Sequence, residues 1–210
     1  MKETENNKTQ EQASVAPPEG GRRTSLRHHI AVFGNPRALC LAAMLAAMSM
    51  ILGKFLQIPT PFSELIRISF ENLPVILAGI LLGPLAGAMT GIVADLIGCV
   101  AYGYSINPLI TLGAGAVGLV AGLVAFLLER APLLWRVIGA VVLSHVIGSV
   151  LIKTAGLAAW YLAAYDLGYG QLLLWRVLNY AIIAALEATL LYLLLRHRGI
   201  ARQLERMCRK

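Results

Sequence analysis

The sequence is poor in charge: Asp, Glu, Lys and Arg together make up 14% of its 210 residues. Soluble domains carry about 25%, so this chain has too little polar surface to face water on all sides. It has no G-x-x-x-x-G-K-[ST] run. A nucleotide site of that kind is therefore excluded, and uphill transport would need an ion gradient or a partner that hydrolyses nucleotide. GxSxG, HExxH and workable Cys/His spacings are also missing, and Asp95 has no second Asp to pair with, which argues against an intramembrane enzyme. The three cysteines, Cys40, Cys99 and Cys208, form no CxxC motif and read as inert, leaving no expected metal or cofactor set. The pI is near 9.6, but the basic residues lack the aromatic interleaving of a nucleic-acid groove.

Apolar sequence is abundant. Hydrophobic residues make up 58% and the mean hydropathy is +0.70, the composition of a multispanning membrane protein. At about 20 residues per span, hydropathy predicts an all-α bundle of six transmembrane helices over 38–57, 70–83, 84–103, 108–129, 136–163 and 172–195. The second is too short to cross as an untilted helix, and Gly83-Pro84 separates it from the third. Residues 1–34 read as a disordered polar arm rather than a signal peptide, 35–197 as the transmembrane domain and 198–210 as a basic tail.

Arg and Lys cluster before the first span, at Arg130 and Arg136, and after the sixth. The positive-inside rule then puts both termini in the cytoplasm of a bacterial cell membrane, with anionic lipid headgroups as partners of these charges. Loops 59–69, 103–108 and 164–171 would face outward. In the first span, Ala38, Ala42 and Ala46 lie four apart, as do Ala43 and Ala47, so a small-residue face is available for another helix. Gly87-x-x-x-Gly91 and Gly118-x-x-x-Gly122 offer the same kind of close approach, with tight packing as the ordinary reading.

Charged residues inside apolar spans need a reason, because each costs about 2.5–3.5 kcal/mol at a helix centre facing lipid. Lys54, Arg67, Asp95, Lys153 and Arg176 are such positions, and helix rise places them within reach of one outward cavity. Cations predominate, so an anion such as a carboxylate would suit it. The plainer reading is an Asp95–Lys153 ion pair tying two helices together. Glu71 would pair with Arg67, four residues earlier, if the second helix starts early. Asn72, Asn107, Asn179 and Tyr180 lie near outer helix ends and can hydrogen-bond a heterocycle. His145 and Glu187 lie toward the cytoplasmic half and read as packing residues.

The run RISFENLPVILAGILLGPLAGAMTGIVADLIG from Arg67 to Gly98, preceded by LGKFLQIPTPF and followed by INPLITLGAGAVG, resembles the substrate-binding S components of energy-coupling factor (ECF) vitamin transporters, in particular the folate group. The resemblance covers roughly 38–196 and implies a six-helix subunit that binds vitamin from outside. It also implies two kinds of partner, a transmembrane coupling subunit and two cytoplasmic ATPases. The alanines of the first span become candidates for coupling-subunit docking, in either register. Arg67 in RISF is the foremost ligand-contacting candidate and Arg176 the next, with Lys54, Glu71, Asn72, Asp95, Asn107 and Lys153 around them. The ligand implied is folate or a reduced folate. After the third span the chain reads YGYSINPLITLG where that group commonly has an aromatic, glycine-rich stretch, which keeps riboflavin or thiamine open. A stand-alone ion-coupled carrier of a small organic anion, with Asp95 as its proton or sodium site, is the alternative from another class.

Overall fold

The computed structural model describes residues 35–56, 58–60, 63–165 and 169–197, with the side chains of 58–60, 63–68 and 160–165 outside the description. The N-terminal arm and the basic tail lie outside the described residues. Helix α1 (Pro36–Phe55) leads to a two-stranded hairpin, β1 (Ile58–Thr60) and β2 (Ser63–Ile68), then to α2 (Asn72–Leu82), α3 (Pro84–Tyr102) and α4 (Pro108–Leu127). A long span follows, made of α5 (Leu133–Ser144), a π-helical segment (His145–Ile152) and α6 (Lys153–Tyr165), and α7 (Tyr169–Arg196) closes the order. Among the described residues, five helical stretches are long and apolar enough to cross a membrane, and α2 is a shorter apolar helix beside them.

The helix starts follow local chemistry. Asn35 and Asn107 accept from Arg37 N (3.1 Å) and Leu109 N (3.0 Å), each followed by proline at the first helical position, where its missing N–H costs nothing. Gly83 ends α2 with φ 97°, a conformation open to glycine, and Pro84 starts α3.

The segment expected as the first outer loop is instead a hairpin, antiparallel, with Ile58 opposite Ile68 and Pro59 opposite Arg67. Its β-branched residues Ile58, Thr60, Ile66 and Ile68 favour strand, and proline is admissible on an edge. The second helix begins at Asn72, not near Arg67, because this hairpin uses the preceding residues.

Helix α2 is apolar on all sides, and Pro74, Val75, Ile76, Leu77, Ala78 and Gly79 are all buried. It is the hub of the bundle, packing against α1, α3 and α4. Both GxxxG pairs serve that packing. A Cβ at Gly87 would meet Gly118 O and Gly79 Cα at 2.6 Å, and one at Gly122 would meet Pro84 Cα at 2.5 Å, so α2, α3 and α4 approach backbone to backbone. Large apolar side chains such as Phe55, Val100 and Leu127 point outward and are 77%, 75% and 70% exposed. An apolar exterior over a polar-dotted interior suits hydrocarbon as the surrounding solvent.

Candidate ligand-binding site

Near the hairpin end of the bundle lies a cavity of about 120 Å³, walled by α1, α2, α3, α4 and α6. Its polar wall consists of Ser49, Lys54, Glu71, Asn72, Asp95, Tyr102, Tyr104 and Lys153. Five of the eight residues expected at a site therefore meet there: Lys54, Glu71, Asn72, Asp95 and Lys153.

Lys153 is the centre of the wall. Only 7% exposed, it donates from Nζ to Glu71 Oε1 at 2.9 Å and to Asn72 Oδ1 at 3.3 Å. Its stem passes over Gly113, where a Cβ would lie 2.6 Å from Lys153 Cγ. The absence of a side chain at 113 is what lets the lysine reach inward. Glu71 is fitted in the same way, since a Cβ at Gly53 would stand 3.2 Å from Glu71 Oε2. Ser49 Oγ donates to Glu71 O at 2.6 Å, fixing the backbone just ahead of α2.

Two expected ion pairs are replaced. Lys153 pairs with Glu71 rather than Asp95, while Asp95 Oδ2 accepts from Thr111 Oγ1 at 2.6 Å. Glu71 has no helical register with Arg67, because Arg67 lies on β2. The Arg67 side chain lies outside the described residues.

At the rim, Lys54 Nζ donates to Tyr104 Oη at 3.2 Å and stands 5.1 and 5.4 Å from the ring centres of Tyr102 and Tyr104. Aromatic faces attract a cation by their ring quadrupole. Ser49 and the two tyrosines are the polar wall residues that sequence reasoning missed. The tyrosines' signal was available, since YGY closes the third span and places both rings at the hairpin end of the bundle.

Arg176 and Asn107 stand off the wall. Arg176, 7% exposed, donates to Ser149 O at 3.0 Å and to Tyr180 Oη at 3.4 Å, with its guanidinium 5.2 Å from the Tyr180 ring centre. It is one residue behind the cavity, because Ser149 Oγ accepts from Asn72 Nδ2 at 3.5 Å. Among the described side chains, no carboxylate lies within salt-bridge distance of Arg176. Asn107 caps α4 and donates from Nδ2 to Gly156 O at 2.9 Å, so its amide ties α4 to α6.

His145 and Glu187, read as separate packing residues, meet in the interior with Nε2 and Oε2 2.7 Å apart. The π-helical segment carries the histidine. His145, Ser149 and Lys153 lie four apart and are 2%, 0% and 7% exposed. Residues four apart lie one above the other on a helix, so all three share one buried face.

On α1, Ala38 and Ala46 are 1% and 4% exposed and pack inward, whereas Ala43 and Ala47 face outward and Ala42 is half-buried. Ala38, Ala42, Ala43 and Ala46 all line, with Met89 and Val93 of α3, an apolar groove of about 200 Å³.

Residues 37–196 match a protein-family model described as ECF transporter, substrate-specific component. Among solved structures, the crystal structure of FolT bound with folic acid is similar in fold. The TM-score is 0.61 at 23% identity, over 75% of this chain and 90% of that one. No curated protein matches the chain.

Proposed function

The chain belongs to the substrate-specific components of ECF transporters, and from that membership we propose that it captures a small anionic vitamin, folate or a related pterin, from outside the cell. Delivery inward then depends on a transmembrane coupling subunit and two ATPase subunits, in line with the missing nucleotide motif.

The observation that carries the ligand reading is the pair of buried cations. Lys153 lies on the cavity wall and Arg176 one hydrogen bond behind it, and Arg176 has no carboxylate partner among the described side chains. A buried guanidinium with no carboxylate in contact is costly, and a ligand carboxylate would supply that contact. The tyrosines at the rim add faces for a flat heterocycle. Sites that enclose a whole small molecule measure about 300–1,000 Å³. A cavity of about 120 Å³ therefore suits one end of the ligand, with the remainder toward Lys54, Tyr104 and the hairpin bearing Arg67. The folic-acid-bound relative in fold supports the choice of pterin over other vitamins.

Arg and Lys flanking the spans support a cytoplasmic location for both termini. The hairpin end is then the outer one. The outward face at Ala43 and Ala47, with the groove that Ala43 shares with Ala42 and with the buried Ala38 and Ala46 at its floor, is the face we assign to the coupling subunit.

The test is calorimetric titration of the purified protein in nanodiscs with folic acid, 5-formyltetrahydrofolate, riboflavin and thiamine. Tight binding of a pterin, lost in Arg67→Ala and in Arg176→Met, is the expected result. Binding of riboflavin or thiamine alone would overturn the choice of vitamin, and binding of none of the four would overturn the vitamin reading.

A further inference from the structure

A directional chain of hydrogen bonds leads from the cavity to the far half of the bundle. Lys153 Nζ donates to Asn72 Oδ1 (3.3 Å) and Asn72 Nδ2 donates to Ser149 Oγ (3.5 Å). Ser149 Oγ stands 3.4 Å from His145 Nδ1, and His145 Nε2 stands 2.7 Å from Glu187 Oε2. The Ser149 hydroxyl, while accepting from Asn72, is free to donate to Nδ1, and in that arrangement the imidazole proton sits on Nε2 and points at the Glu187 carboxylate. Glu187 is fully buried, and its second oxygen, Oε1, has no hydrogen-bond partner among the described residues.

Among the described side chains, the cavity and the groups behind it bring Lys54, Lys153 and Arg176 together with Glu71, Asp95 and Glu187. The groups around the His145–Glu187 pair are Arg176 and Tyr180 from α7, Lys153 at the start of α6, and Glu71 and Asn72 at the start of α2. From α4, Val117 packs against the π segment at Gly148. An anion added beside Lys153 or Arg176 makes the potential at the His145–Glu187 pair more negative, in a medium that screens charge weakly. The pair has two places for a compensating proton. One is His145 Nδ1, with the Ser149 hydroxyl turning from donor to acceptor, and the other is Glu187 Oε1, which has no bond to lose.

We propose that the buried His145–Glu187 pair takes up a proton from solvent when an anion occupies the cavity, so that ligand capture and protonation are linked through Ser149 and Asn72. The inference rests on the ligand reading above, but half of its test does not.

That half uses the protein without ligand. Lys153→Met removes one positive charge, leaves the Glu71 carboxylate and so mimics an added anion. Infrared titration should then show the protonated-carboxyl band that Glu187→Gln abolishes appearing at higher pH than in the parent. The expected shift is on the order of one pH unit, the effect of one charge at about 10 Å in a dielectric of about 20. An unmoved midpoint overturns the coupling whatever the ligand is. The second half is calorimetry of folic acid binding in two buffers of different ionisation enthalpy at one pH. Net uptake of a fraction of a proton, up to about one, should disappear in His145→Gln and in Glu187→Gln while folic acid still binds. Uptake unchanged in both variants places the proton elsewhere and overturns the proposal, as does an absence of uptake in the parent. Failure of folic acid to bind counts against the ligand reading, and the infrared titration then decides the linkage alone.

Discussion

Gly113→Ala is a test of the cavity that leaves every charged group in place. The added methyl would sit 2.6 Å from Lys153 Cγ and 2.9 Å from Gly148 O, where ordinary contact begins at 3.4 Å. The carbonyl belongs to the backbone of the π segment and cannot swing aside. Lys153 must give way by about 0.8 Å instead, enough to take Nζ beyond bonding reach of Asn72, already 3.3 Å away, and to stretch the 2.9 Å contact with Glu71. Overpacking of this kind costs about 1–3 kcal/mol of stability. A displaced ammonium forfeits much of a charge-assisted hydrogen bond to the ligand, worth about 1.5–3 kcal/mol, so affinity should fall about tenfold or more. The assay is titration of pterin binding in nanodiscs alongside a thermal melt. Gly115→Ala is the control: it meets the Ile92 side chain, with Cγ1 at 2.8 Å, rather than the lysine. It should lower the melting temperature while leaving affinity near the parent's. Parent-like affinity and melting in Gly113→Ala would refute both the crowding argument and the place of Lys153 in the site, and equal loss of affinity in Gly115→Ala would show that general destabilisation explains the effect.

Two further outcomes separate alternatives. Leucine at Ala43 and Ala47 should abolish uptake by the assembled transporter while sparing ligand binding by the isolated subunit, whereas leucine at Ala38 and Ala46 should destabilise the subunit itself; copurification with the coupling subunit and a melting curve read the two effects. Asp95→Asn keeps an oxygen to accept from Thr111, so uptake driven by ATPase partners should survive it; loss of uptake in Asp95→Asn, with an uncoupler abolishing uptake by the parent, would instead favour an ion-coupled carrier.

Five of the six expected spans were legible because apolar runs of about 20 residues have one stable form in hydrocarbon, where every backbone N–H and C=O must be bonded within its own segment. The breaks were legible for the same kind of reason. Gly83-Pro84 and Asn107-Pro108 carry local chemistry that acts without tertiary help. The hairpin was not, since its six-residue strand is short and two of its residues, Pro59 and Pro61, signal a loop as readily as an edge. Nor was the π segment, because HVIGSVLI has the composition of any apolar helix and its wider turn depends on what packs against it.

For the site, residue chemistry was enough to show which ionisable residues had to face inward, since lipid would penalise each of them. It also determined that several would share one end of the bundle, because depth along a helix follows from counting residues. Only the tertiary structure decided the pairings. Rotation about each helix axis and the contact between helices are set by packing, here by glycines at 79, 87, 118 and 122 that let backbones touch. That packing gave Lys153 to Glu71 instead of Asp95, left Arg176 behind the wall, and joined His145 to Glu187 across 42 residues of chain. It also distinguished the two alanine registers of the first helix, which are equivalent as spacing and differ only in which one the rest of the bundle covers.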